Sequence, residues 1–401
     1  MVQFIEIISP TEKMTKPYIH FSKEEFYQRQ HKSQKRLQEL ELDGLLIFKI
    51  EDMYWLTGYE SDGFCIFGSM FLSADGALTH LARPADLANL YYSSICKDVR
   101  ISPDSQNSSR AEHIKDMLSS HNMKGKRVGI QVDTMGLTPR LYIEINEALK
   151  DWCDLCAAPD FIRDLRLVKS SQELEYFRKA GDVMDVVMEK TIEATYPGAF
   201  EGDIYATFYD TLFRLDADLP AHIPPLGSGD SALNLRYTSK RKNVSKNDQV
   251  TLELGLAYRR YHVASMGVVL TGPKINQRHL KMHETSVIAL NAVQSALRPG
   301  KTVGDLFEIY KSTLEANNEH DAVLTVAGYT MGAMWPPTWM EQPMIFEGNP
   351  LELEENMTFF THMILNDRET GLSMAVGETS IVTTQGPEII THIPREPIIR
   401  N

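Results

Sequence analysis

Near residue 165 the pattern of this chain changes, and that change limits it to two domains of different architecture. Before it, short apolar runs alternate with helical stretches. Ser22-Lys23-Glu24-Glu25 has the form of a capping box, so a helix is expected from there to about Glu41, stopping near Asp43-Gly44. Leu45 to Phe48, Phe64 to Leu72 and Arg127 to Val132 read as strands, the second ending in the turn Ser73-Ala74-Asp75-Gly76. After the change, Ser171-Gln172-Glu173-Leu174 opens a long helix. Its apolar positions Leu174, Phe177, Val183 and Val187 keep helical spacing to about Glu193. Strands with short turns follow at 248–271, then helices over Gln277 to Leu297 and Val303 to Asn317, then strands near 357–365 and 374–384. The expected organisation is an α/β domain over residues 1–165 and an α+β domain over 166–401.

Composition narrows the function classes. The 401 residues carry 41 Lys+Arg against 54 Asp+Glu, a net charge of −13, which argues against a dedicated nucleic-acid binder. No window approaches 18 consecutive apolar residues, so no membrane span is expected. The first 25 residues lack the apolar core of a secretory signal. Four cysteines do not make a disulfide framework, and a cytoplasmic setting is expected.

Four motifs, in order, carry a family resemblance. Leu165-Arg166-Leu167-Val168-Lys169-Ser170-Ser171-Gln172-Glu173-Leu174 looks like the segment leading into the catalytic domain of pita-bread enzymes. That superfamily holds prolidase, aminopeptidase P, creatinase and the ectoine hydrolases. Asp248 to Gly255, followed by Tyr261-His262, resembles its core hairpin. Met357 to Phe360 and Val376 to Thr383 resemble the two strands that close its site. The resemblance implies an α+β pita-bread catalytic domain preceded by an α/β creatinase-type N-terminal domain. It also implies a homodimer in which the N-terminal domain of one chain lies near the other's site, bringing Phe64 to its partner's pocket.

Pita-bread peptidases hold two metal ions with two Asp, a His and two Glu. Those positions fall here on Glu253, Ala264, Tyr329, His362 and Gly377. Two divalent ions about 3.5–4 Å apart need bridging carboxylates to offset their repulsion. One carboxylate and one imidazole do not supply them, so no metal or other cofactor is expected. A register shift of one residue would offer Glu378 as a ligand, and Ala264 and Tyr329 would still lack donors of the required kind.

Creatinase and ectoine hydrolase share the fold and cleave C–N bonds without metal. Glu253-Leu254-Gly255, Tyr258 to His262, Gly328 to Gly332 and Pro336 to Glu341 resemble the ectoine-hydrolase branch, where a glutamate replaces the first metal-binding Asp as nucleophile. That role falls on Glu253, which would serve either as nucleophile or as the anchor of a substrate cation. His262, His362 and Glu378 are the candidates to move protons or anchor a cation. Tyr237, Tyr329, Trp335, Trp339 and Glu341 are candidates to line the substrate, the aromatic rings as walls for a cation. Arg236 stands where the family usually has a His; it cannot shuttle protons but can clamp a carboxylate. The creatinase glutamate near the hairpin end has no counterpart, Met266-Gly267 standing there.

The expected activity is metal-independent hydrolysis of a C–N bond in a small zwitterion. A metal-dependent Xaa-Pro peptidase, a non-catalytic binding protein on the same scaffold and, more remotely, a lyase acting on a dimethylsulfonium zwitterion are the alternatives. Each candidate also has a plainer reading. Glu253 would serve as a solvated strand residue, His262 and His362 as hydrogen-bonded structural histidines, and Trp335-Pro336-Pro337-Thr338-Trp339 as loop packing. Cys153 and Cys156 have CxxC spacing without a second pair and read as core thiols. Gly227 to Ser231 lacks a P-loop lysine, and the basic run Arg236 to Lys246 reads as a solvated hairpin face.

Overall fold

The computed structural model describes residues 17–106, 108–237 and 240–401. Of the first 25 residues, read above as lacking a leader, residues 1–16 lie outside that set, as do 238 and 239 of the basic run. The chain divides into two compact units, Met1–Arg166 and Leu167–Asn401.

The first unit is a six-stranded mixed sheet with helices, built in the order α1 (Lys23–Glu39), β1 (Gly44–Ile47), α2 (Ile50–Thr57), β2 (Ser69–Ser73), β3 (Leu78–Ala82), α3 (Leu87–Ser93), β4 (Asp98–Ile101), α4 (Arg110–Ser120), β5 (Arg127–Ile130), α5 (Pro139–Leu149), β6 (Asp154–Ala157) and α6 (Phe161–Arg166). The strand order is β4-β3-β2-β1-β5-β6. Ser22 caps α1 by accepting from the Glu25 N–H, while the Glu25 carboxylate accepts from Arg29 one turn on. Leu46, Phe71, Val128 and Ile130 fill the core against Ile114, Met117 and Ile145, apolar faces of α4 and α5. The strand expected over Phe64 to Leu72 is shorter. Gly63 and Gly68 break its start, and Ile66 N–H closes a turn onto the Gly63 carbonyl, so pairing begins only at Ser69.

The second unit opens with α7 (Ser171–Glu193), whose capping box joins Ser170 and Glu173, and α8 (Glu201–Arg214). Then come β7 (Leu226–Ser228), β8 (Gln249–Tyr258), β9 (Tyr261–Thr271), α9 (Gln277–Ser295), α10 (Val303–Ala316), β10 (Gly328–Thr330), β11 (Glu341–Met344), β12 (Thr358–Asp367), β13 (Leu372–Ile381), β14 (Glu388–Ile389) and β15 (Ile398–Arg400). The main path of the sheet runs β11-β10-β12-β13-β9-β8-β7, antiparallel throughout, and only β15 joins it in parallel. Helices α7 and α9 pack on this sheet, and β8 and β9 are almost wholly buried. A sheet covered in this way leaves little room for a solvated face, which decides the fate of every polar side chain on its central strands.

Candidate active site

The central hairpin sets the register of the site. β8 and β9 pair with Glu253 opposite Met266 and Gly255 opposite Ala264, and β12 meets β13 with His362 opposite Gly377. Successive strand residues alternate faces, so Glu378 points away from the face that Gly377 shares with His362. Its carboxylate is engaged there: it accepts from both terminal nitrogens of Arg395, from Gln294 Nε2 at 2.8 Å and from the Ile393 N–H at 2.8 Å. A one-residue shift that would return Glu378 to the ligand set is therefore closed off by the register.

Glu253 is not a solvated strand residue. Only 8% of it is exposed, and it reaches a cavity of about 190 Å³ lined also by His222, Pro225, Arg236, Tyr329, Pro337, Thr338, Trp339 and Met340. Burial pushes its carboxyl up to about 7, and the Arg236 guanidinium partly offsets that shift. Tyr329 faces the same space, its phenol held well above its ordinary pKa by burial and by the Glu253 charge. The Trp339 indole N–H donates to the Tyr329 hydroxyl at 2.8 Å, which fixes both rings as one wall and leaves the phenol proton for another acceptor. Gly255 makes this possible, because a Cβ there would meet the Trp339 ring at 2.9 Å.

The structure thus gathers Glu253, Arg236, Tyr329 and Trp339 around one cavity and sets the other candidates apart from its lining. His262 is 1% exposed; its Nε2 accepts from the Ala221 N–H at 2.9 Å, so Nδ1 carries the proton and donates to the Arg260 carbonyl at 2.8 Å. Burial drives its pKa down to about 3, which keeps the ring neutral. His362 packs against Tyr329 and Phe360 with ring centroids 5.8 and 5.6 Å away, its pKa lowered to about 4 by burial. The Tyr237 hydroxyl donates to Glu201 at 3.2 Å. Trp335 is buried under the Arg260 guanidinium, 4.8 Å from its ring centroid, so the Trp-Pro-Pro-Thr-Trp loop gives one packing residue and one wall. The Glu341 carboxylate lies over Gly332, where a Cβ would meet its Oε2 at 2.0 Å. Phe64 is half-buried in the first unit.

Sequence reading misses His222. Its ring meets Trp339 edge-on, with centroids 5.5 Å apart and planes at 84°. The only signal was local: Ala221-His222-Ile223-Pro224-Pro225 puts an imidazole on a loop stiffened by two prolines, 31 residues before Glu253 in the sequence. Nothing in that spacing tells which strand the loop will cross. The CxxC pair behaves as read: both thiols are free and half-buried, and Cys153 is pushed up to about 11, mainly by burial.

The donor set does not fit a two-metal centre. Position 264 offers a methyl group. Position 377 offers a hydrogen, and a Cβ there would already meet the Phe360 ring at 2.8 Å. Among the described residues no group of three or more His, Cys, Asp or Glu side chains converges as a metal site. Nor is any described helix long and apolar enough to cross a membrane.

Comparisons with known proteins agree with this architecture. Residues 29–168 match the creatinase/prolidase N-terminal domain, and residues 175–384 match metallopeptidase family M24. An uncharacterized hydrolase/peptidase of Sinorhizobium fredii is 25% identical over 396 residues, covering 96% of this chain and 99% of its own. Ectoine hydrolase of Halomonas elongata is 22% identical over 398 residues, covering 95% and 98%. Among solved structures, dipeptidase PepE of Mycobacterium ulcerans superposes with a TM-score of 0.82 at 20% identity, covering 94% of this chain and 99% of its own. With a pita-bread sheet, an N-terminal domain of the creatinase/prolidase type and a family match over more than half its length, the chain belongs to family M24 and is a pita-bread hydrolase by descent.

Proposed function

We propose that this chain is a metal-independent hydrolase that opens a C–N bond in a small zwitterion of the amidine, guanidino or amide class. The observation that carries this reading is the pairing of one buried carboxylate, Glu253, with one guanidinium, Arg236, around an aromatic-walled cavity. Of the other metal positions of the family, Ala264 and Gly377 carry no donor, Tyr329 carries a phenol, and His362 keeps an imidazole packed against the Tyr329 ring. A substrate carboxylate would pair with Arg236 in the bidentate manner guanidinium favours. Its cationic carbon would lie against Tyr329 and Trp339, where the ring faces attract positive charge. The whole-chain likeness to ectoine hydrolase supports the substrate class.

The chemistry follows from the site. A poorly solvated carboxylate is a competent nucleophile once ionised. Glu253 Oε adds to the amidinium carbon and the C=N electron pair moves to nitrogen. The C–N bond then breaks as the released nitrogen takes the phenol proton of Tyr329, which faces the same cavity. Water next adds to the same carbon, and the C–O bond to Glu253 breaks with its electron pair returning to the carboxylate. One water is consumed: its oxygen stays in the product amide, one of its protons refills the Tyr329 phenol and the other goes to the released amine, which departs as an ammonium. Because the nucleophile must be ionised, turnover rises through about pH 7 and is lost below it.

Family analogy extends the proposal to a cytoplasmic homodimer whose partner chain brings Phe64 toward this site. The test is turnover of ectoine, creatine and related amidines by protein purified without added metal, with metal content measured alongside. We expect near-zero metal, activity indifferent to EDTA, and a loss of about 10⁴-fold in Glu253→Gln. Near two equivalents of Mn, Co or Zn per chain, with cleavage of Xaa-Pro dipeptides, would overturn the reading.

A further inference from the structure

We infer that His222 is the proton-transfer residue of this site and that His262 is a positioning residue holding it there. This rests on the hydrolase reading above and adds a residue to it. The reaction needs a group that takes a proton from the attacking water and passes it to the nitrogen already released. Among the imidazoles of this unit, His262 has both ring nitrogens committed to backbone partners, and His362 is buried against the Tyr329 and Phe360 rings. His222 lines the cavity together with Glu253 and is only half-buried, so a water can reach it.

The loop that carries His222 is tied down on both sides. Before it, the Ala221 N–H donates to His262 Nε2 at 2.9 Å, and Asp218 and Ala257 exchange backbone hydrogen bonds at 2.7 and 3.2 Å. After it, the Tyr205 hydroxyl donates to the Pro224 carbonyl, and the backbone N–H of Glu253 itself donates to the Pro225 carbonyl at 3.0 Å. The nucleophile's own strand thus sets the register of the histidine loop. Trp339, edge-on to the imidazole, limits the rotation of the ring. A buried neutral His262 is the expected device for such a tether, because it offers an acceptor to one backbone amide and a donor to one carbonyl with no charge to solvate.

Burial holds His222 below its ordinary 6.5; a backbone hydrogen bond at Ile223 opposes that shift and the Arg236 guanidinium adds to it. The ring is therefore neutral at pH 7 and able to accept. In the second half of the reaction the water oxygen bonds to carbon, one water proton goes to His222 and the other restores the Tyr329 phenol. The bond to Glu253 breaks with its pair returning to the carboxylate. The imidazolium then gives its proton to the released nitrogen, and the free imidazole is restored.

The test uses the full chain and a compound of the amidine panel that the wild type turns over. For His222→Gln we expect kcat to fall by about 10²–10⁴-fold. Intact-protein mass spectrometry should show the Glu253 adduct accumulating, and added imidazole should restore part of the rate to His222→Ala. His262→Leu should lower kcat with KM little changed, while His262→Gln, which keeps an acceptor for the Ala221 N–H, should recover most of it. Wild-type rate in a folded His222→Gln chain, with the wild type active, overturns this inference alone. A wild type inert toward every compound overturns the hydrolase reading and this inference with it.

Discussion

Two glutamates of the second unit, Glu253 on β8 and Glu378 on β13, are equally hidden from solvent in kind but live in opposite surroundings. Glu378 is 1% exposed and surrounded by donors: a guanidinium, an amide side chain and a backbone N–H. Glu253 is 8% exposed and faces a cavity, with Arg236 as the charge that lowers its pKa and burial as the larger effect that raises it. A saturated carboxylate holds the chain together; an unsaturated one is costly to fold around and remains free for a ligand. That difference separates the residue that ties down the C-terminal segment from the residue open to the cavity, for which we propose the chemistry.

The sharpest way to break the comparison is to remove charge from Glu253. Its folded pKa is raised from 4.5 to about 7, so it contributes stability that is complete below pH 4.5 and lost as pH climbs through 7. Glu253→Gln should therefore be the more stable protein at pH 8, by on the order of 3 kcal/mol, with the gap closing toward pH 4.5. Chemical denaturation at the two pH values measures it; equal curves at pH 8 would mean that Glu253 is better solvated than its burial implies.

The converse experiment is Arg395→Met, which strips the guanidinium from Glu378 and leaves a buried charge short of donors. A loss of about 2–3 kcal/mol is expected, with turnover per folded molecule kept. A variant that stays stable but turns over slowly would move Glu378 into the site.

The smallest effect tests the cavity's own cation. Arg236→Gln should raise KM for a carboxylate-bearing substrate by about tenfold to a hundredfold, the worth of one charge-assisted hydrogen bond. It should also move the acidic limb of the pH–rate profile upward, because Arg236 lowers the Glu253 pKa. An unchanged KM would assign the guanidinium to solvent.

Much of this was legible in the sequence, for identifiable reasons. The α7 start rests on Ser170 and Glu173, whose capping chemistry is local and needs no partner elsewhere. The hairpin of β8 and β9 followed from two long apolar runs with a short turn between them. Glu253 and Tyr329 could be named because their family positions lie on paired strands, and Arg236 and Trp339 because they stand in motif segments next to those strands. The strand expected at Phe64 failed because apolar content was weighed above the breaking effect of Gly63 and Gly68.

His222 and His262 show the limit from the other side. Both were plain in the sequence, and the one singled out turned out to have both ring nitrogens bound to backbone, while its unremarked neighbour in space lines the cavity. What the sequence by itself determined was the pair of domains, the main elements of the second and a few of the first, the residues without a donor side chain at Ala264 and Gly377, and the carboxylate at 253. All of these are carried by residue identity and by periodicities a few residues long. What only the tertiary structure decided was which polar groups are already satisfied. A hydrogen bond between residues 221 and 262, or between 378 and 395, depends on how distant segments cross, and no local pattern encodes that crossing.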